Sequence, residues 1–177
     1  GEVALGLLEN NFNVVAVEAD RIQYNILKEN KKFFLDNSNT SSFFDIFNIA
    51  LSNETGIKEL YSRPIDNDST LVKPNKIDER KYKKKIINTY TIDDLLYKYN
   101  IYLIVGDVEG HEPEILMGAI NTLKKCKYVA LDCVEKESNI DTINKTIDIL
   151  RLNNFKIIKR PDKFSRSVVI GQNRLLA

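Results

Sequence analysis

The chain has 177 residues, about the length of one domain. Lys plus Arg number 26 and Asp plus Glu 25, a formal charge of +1 that argues against a whole-domain nucleic-acid binder. Two cysteines, Cys126 and Cys133, are too few for a disulfide scaffold, and no apolar run reaches the roughly 18 residues needed to span a bilayer.

The helical spacing of Val3, Ala4, Leu7 and Leu8 predicts a helix over 2–9, stopped by Asn10 and Asn11. Residues 12–17 form a Val-rich apolar run that predicts a strand ending at Glu18. Asp20 is placed to N-cap a helix whose apolar face holds Ile22, Ile26, Leu27, Phe33 and Phe34. The Asn/Ser/Thr-rich segment 36–42 reads as a loop, residues 47–51 as a second strand, and residues 57–61 as an exposed, alternating strand. From 62 to 85 the periodicity is lost. This long basic loop carries Pro64, Pro74, Lys73, Lys76, Arg80, Lys81, Lys83, Lys84 and Lys85. It reads as a solvated surface, with steering of an anionic substrate as the alternative.

Residues 86–90 resume strand character. Thr91 with Asp94 three residues on approximates a capping box for a helix over 91–99. The apolar run 101–105 predicts a strand buried on both faces. Pro113 suits the first turn of a helix lined by Ile115, Leu116, Ala119, Ile120 and Leu123. Residues 128–134 read as a strand. A further helix is lined by Ile140, Ile143, Ile147 and Leu150, capped by Ser138 or Asn139. Residues 155–159 and 167–171, joined across 161–166, read as a closing antiparallel pair. Alternating strands and helices imply parallel βαβ units with right-handed crossovers.

The densest chemistry is Asp107-Val108-Glu109-Gly110-His111-Glu112, directly after the most hydrophobic strand. Open α/β sheets bind ligands at the carboxyl ends of their strands. Crowded carboxylates raise one another's pKa towards a general-base role. Glu114 is read as serving only the positive start of the helix. The lone histidine, His111, reads as a solvent-facing loop residue, with base or metal ligand as the alternative. No second His and no paired Cys completes a zinc site. Glu18, closing Val-Val-Ala-Val-Glu, suits an acceptor for ribose hydroxyls. Cys126 and Cys133 read as buried small hydrophobes. Asp132, an acid inside an apolar strand, is an oddity that could face the ligand end of the sheet.

The Asp107 to Glu112 block, with Ile115-Leu116 and Gly118-Ala119 behind it, resembles the signature of the FkbM-type S-adenosylmethionine-dependent methyltransferases. Val17-Glu18-Ala19-Asp20 with Tyr24-Asn25, Ala50-Leu51-Ser52 followed by Gly56, and Thr91-Ile92-Asp93-Asp94-Leu95 fit the same family in order and spacing. The resemblance implies an α/β, Rossmann-like seven-stranded sheet with an antiparallel C-terminal hairpin, in a single domain over 1–177. It implies that Glu18 holds the cofactor ribose and that Ala50 and Leu51 lie near the adenine. Gly1 would be the tail of a glycine-rich loop, and Asp107, Glu109 and Glu112 would line the reaction centre. The family's lysine two positions before the signature aspartate is Val105 here.

The first strand and most of that loop are expected upstream of Gly1, so this chain alone is expected to be poorly soluble or inactive. The implied reaction is O-methylation of a hydroxyl on a small molecule, sugar or lipid-like acceptor. Asp107 would be base, or Asp107 with Glu109 would hold a divalent cation. A nicotinamide-dependent oxidoreductase fragment and a catalytically inactive interaction domain are the competing readings. A cytoplasmic location is the default expectation.

Overall fold

The computed structural model describes residues 1–63, 68–73, 82–133, 141–159 and 167–176. The chain divides into two compact units, Gly1–Ala50 and Leu51–Ala177.

The first unit runs α1 (Glu2–Glu9), β1 (Val14–Val17), α2 (Arg21–Asn37) and β2 (Phe44–Phe47). Asp20 caps α2 as expected, its carboxylate accepting from the Ile22 amide at 2.7 Å and the Gln23 amide at 3.4 Å. α2 carries the chain from β1 to β2, and the two strands pair in parallel from Val14↔Phe44 to Val17↔Phe47. Leu8, Val14, Leu27 and Phe44 form the core between helices and strands. The second strand lies earlier than 47–51 because Asn48 ends the pairing. Its side-chain amide donates to the Glu18 carbonyl at 2.8 Å and the Ala19 carbonyl at 3.2 Å. β1 likewise starts only at Val14, since the Phe12 amide is spent on Leu7 at the end of α1.

Beyond β3 (Ala50–Leu51), the second unit continues with β4 (Gly56–Arg63), β5 (Asp68–Thr70) and β6 (Lys83–Tyr90). These strands form a sheet of order β3-β6-β4-β5, with β4 antiparallel to both β5 and β6. The expected loop over 62–85 therefore contains strand. β5 lies inside it and β6 begins within its lysine run, where Lys84 pairs with Glu59 across the sheet at 2.7 Å. Pro64, Pro74, Lys76, Arg80 and Lys81 lie outside the described residues. Burial along β4 does not alternate: its first half is exposed, and Leu60, Tyr61 and Ser62 are buried in succession.

The remaining elements are α3 (Ile92–Leu95), β7 (Leu103–Asp107), α4 (Glu112–Met117), α5 (Ile120–Leu123), β8 (Tyr128–Asp132), α6 (Thr142–Leu152), β9 (Phe155–Lys159) and β10 (Val168–Asn173). A second sheet has the order β7-β8-β10-β9. β7 and β8 are parallel, while β10 runs antiparallel to β8 and β9, as the closing pair was expected to. Leu116, Leu123, Val129, Leu150, Phe155 and Val169 fill its core. Buried Asn173 pins the end of β10 by donating to the carbonyls of Leu123 and Cys126.

The chain is thus mixed α/β, and its described strands pair as three sheets. β7 is not buried on both faces. It pairs only with β8 among the described residues, and Val105 is 44% exposed. The helix expected over 91–99 stops at Leu95, and the helix after Pro113 breaks at Gly118 into α4 and α5. The cap of α6 is Asp141, which accepts from the Asn144 amide at 3.0 Å. Ser138, Asn139 and the 161–166 connection lie outside the described residues.

Candidate active site

The signature block is the turn from β7 into α4. Glu109 has φ 53° and Gly110 φ 95°. Two successive left-handed residues reverse the chain sharply, and glycine is the residue that does so without strain. Gly106 serves a different end from turning, because a Cβ there would sit 2.9 Å from the Leu131 side chain, where β7 lies on β8. The turn is held from three sides. The Thr70 hydroxyl donates to the Glu109 carbonyl at 2.9 Å. The Glu112 carboxylate accepts from the Gly110 amide at 3.2 Å and the Val108 amide at 3.4 Å. His111 anchors it to Ser52.

Asp107 is exposed at the carboxyl end of β7, and in the parallel register it stands beside Asp132, the last residue of β8. The structure brings Asp107, Glu109 and Glu112 onto one turn, but in different roles. Glu112 is fully buried. Burial, with help from nearby Asp107, pushes its carboxyl up to about 7 against the pull of the loop amides. Cys133 follows β8 directly. Burial first, then the Glu112, Asp132 and Asp107 carboxylates, push its thiol up to about 12. Cys126 is raised to about 11 by burial, and both cysteines are buried, as expected.

His111 overturns its reading as a solvent-facing residue, since it is only 7% exposed. Its Nε2 lies 3.0 Å from the hydroxyl of fully buried Ser52, and its Nδ1 lies 3.7 Å from a Glu114 oxygen. Burial, with the Lys58 charge adding to it, lowers its pKa to about 4 and keeps the ring neutral. Glu114, at the positive start of α4, thus also faces the imidazole.

The acids of the Thr91 to Leu95 block hold the frame. The Thr91 hydroxyl accepts from the Asp94 amide at 2.9 Å. Asp94 does not complete a capping box; its carboxylate accepts from the Thr55 hydroxyl instead, at 2.6 Å. Asp93 caps α5, accepting from the amides of Asn121 and Thr122, both at 2.8 Å.

Gly1, Glu18 and Ala50 belong to the first unit and Leu51 to the second. Glu18 closes β1, half-buried, and accepts from the Asp20 amide at 2.8 Å. Burial raises its pKa, while the amino terminus at Gly1 is near enough to favour its charge. Ala50 is buried and Leu51 half-buried in β3, directly before Ser52.

The Methyltransferase FkbM domain matches residues 4–157. The chain belongs to the FkbM methyltransferase family. Comparison with curated proteins and with solved structures gives no match. Among the described residues no group of three or more His, Cys, Asp or Glu side chains is placed to hold a metal ion. No described helix is long and apolar enough to cross a membrane.

The family match covers the four blocks that carry the resemblance, from Val17 to Ala119, while Gly1 lies outside it. Residue-level reading missed Ser52 as the partner of His111, as well as the buried pair Thr142 and Thr146. Only two hydroxyls one helical turn apart, on an otherwise apolar face, hinted at the latter.

Proposed function

We propose that this FkbM-family chain transfers the methyl group of S-adenosylmethionine to a hydroxyl of a small-molecule or saccharide acceptor. The observation that carries the reading is an exposed carboxylate, Asp107, at the carboxyl end of a parallel strand in a family of methyltransferases. S-adenosylmethionine, when bound, supplies a methyl group activated by its sulfonium. Glu18 suits the ribose, because a half-buried carboxylate with a raised pKa is stabilised by accepting from two hydroxyls. Ala50 and Leu51 would border the adenine, and Gly1, close to Glu18, would border the cofactor.

Catalysis of this kind is largely positioning. Asp107 accepts the proton of the acceptor hydroxyl as general base. Glu109 lines the same turn. Glu112, buried and tied to loop amides, acts as a positioning residue that fixes the turn.

Calorimetric titration with S-adenosylhomocysteine and with NAD tests the cofactor. Binding of the former, weakened at least about tenfold by Glu18→Gln, is expected. Binding of NAD alone would overturn the reading in favour of an oxidoreductase. Asp107→Asn is expected to lower transfer about 10²–10⁴-fold with cofactor affinity unchanged. Cofactor binding with no transfer to any hydroxylated acceptor would instead mark an inactive binding domain.

A further inference from the structure

The first unit holds an open cleft of about 430 Å³ between the end of α1 and the end of α2. Small-molecule sites run from roughly 300 to 1,000 Å³, so this one has room for a small organic ligand. Leu8, Phe33 and Phe34 make its apolar lining, and Phe33 is 72% exposed. Amide and hydroxyl side chains at 37–40 complete it, and Glu9 is the one charged residue that lines it. α2 starts beside Glu18 and runs 17 residues, about 25 Å, before it reaches the cleft. The cleft therefore stands at the far end of the helix from the residue assigned to the cofactor ribose.

Its electrostatics are one-sided. A helix carboxyl end bears about half a negative charge, which a Lys, Arg or His in the last turn commonly offsets. Neither α1 nor α2 has a basic residue in its last turn. Glu9 and Asp36 stand there instead. α2 also ends on an extended Ser38, φ −123° and ψ 150°, so no left-handed turn folds back to take up its last carbonyls. None of the unit's basic side chains, Arg21, Lys28, Lys31 and Lys32, lines the cleft. Arg21 lies over Tyr24 and Lys31 over Phe44. Among the described residues Glu9 makes no ion pair.

These features narrow the occupant. An anion would meet Glu9 and two negative helix ends. A bare metal ion would find a single carboxylate and leave the phenyl rings uncovered. A neutral apolar molecule would cover the rings and leave the negative potential unanswered. An ammonium on an apolar body answers both, since its N–H groups donate to carboxylate and carbonyl oxygens and its charge is attracted to an aromatic face. We propose that the cleft binds an organic ammonium, a protonated primary amine whose head sits at Glu9 and the end of α2 and whose body covers Leu8, Phe33 and Phe34. The site is independent of the methyl-transfer reading.

The test is a ¹⁵N NMR titration of the full chain at pH 6 with phenethylamine, 2-phenylethanol and phenylacetate, which share a ring and differ in charge. Saturable shifts confined to residues 8–11 and 33–40 are expected for the amine, with affinity at least about tenfold tighter than for the alcohol and no binding of the carboxylate. Glu9→Gln and Phe33→Ser, both at exposed positions, should each weaken the amine about fivefold or more with the melting temperature nearly unchanged. Equal affinity for the three ligands would reveal an unselective apolar crevice and overturn the proposal. So would amine binding indifferent to Glu9→Gln, or no saturable shift at all. Excess S-adenosylhomocysteine should leave the amine in place. Displacement of the amine, or shifts centred on 107–112, would put it in the candidate active site and overturn the proposal while leaving the methyl-transfer reading intact.

Discussion

His111 and Glu112 are neighbours in sequence whose burial shifts their proton affinities in opposite senses. The imidazole falls from its ordinary 6.5 to about 4 and the carboxyl rises from 4.5 to about 7. Between pH 4 and 6.5 the unfolded chain holds a proton on His111 that the folded chain lacks, so this residue makes stability rise with pH. Between pH 4.5 and 7 the folded chain holds a proton on Glu112 that the unfolded chain has lost, so stability falls as pH rises. The two slopes, each up to about 1.4 kcal/mol per pH unit, oppose one another over the shared window. His111→Asn should therefore expose a stability that declines from pH 4.5 to 7. Glu112→Gln should expose one that climbs from pH 4 to 6.5. Urea midpoints of both variants, measured against the parent chain at several pH values, check this. Parallel curves for all three would remove both buried ionisations from the account.

The elements legible in the sequence are those that local chemistry decides. Asp20 ahead of α2 and the paired strands β9 and β10 needed no distant partner to be read. Elements set by distant contacts were not legible. α3 stops after one turn while its Asp93 is committed to capping α5, 28 residues away. His111 is buried because Ser52, 59 residues away, receives it, and nothing in a lone histidine announces that partner. The candidate acids Asp107, Glu109 and Glu112 were found by crowding, but that pattern could not separate an exposed carboxylate from one bound to loop amides. The same dependence on distant neighbours separates two glycines. A Cβ on Gly118, between α4 and α5, would lie 2.1 Å from the Ser52 carbonyl oxygen, backbone that cannot yield cheaply. Gly6, inside α1, has nothing within 4 Å of such an atom. Gly118→Ala should lose about 3 kcal/mol or more, and Gly6→Ala should gain about 0.5–1 kcal/mol from helix propensity. Equal shifts of the two urea midpoints would contradict the packing at Ser52.

For the molecule as a whole, strand pairing and net charge act together. Among the described residues β1 pairs only with β2, and β7 only with β8. β7 presents exposed Val105, with Tyr102 just before it also exposed. A strand with one unpaired edge and apolar exposure is a template for another chain, and natural proteins blunt such edges with charge. Here the formal charge is +1 and the isoelectric point about 7.9, so repulsion between copies is weak near neutrality. The chain should therefore self-associate most strongly near pH 7.9 and less at pH 6, where added positive charge separates the copies. Val105→Lys places a lysine on that strand, on the same face as Asp107. It should raise the monomer fraction at pH 7.9 several-fold while leaving the melting temperature nearly unchanged. Sedimentation velocity of both chains at the two pH values checks this. A monodisperse parent chain at pH 7.9 would show that the edge of β7 is covered in solution. Association indifferent to Val105→Lys would place the contact on another surface.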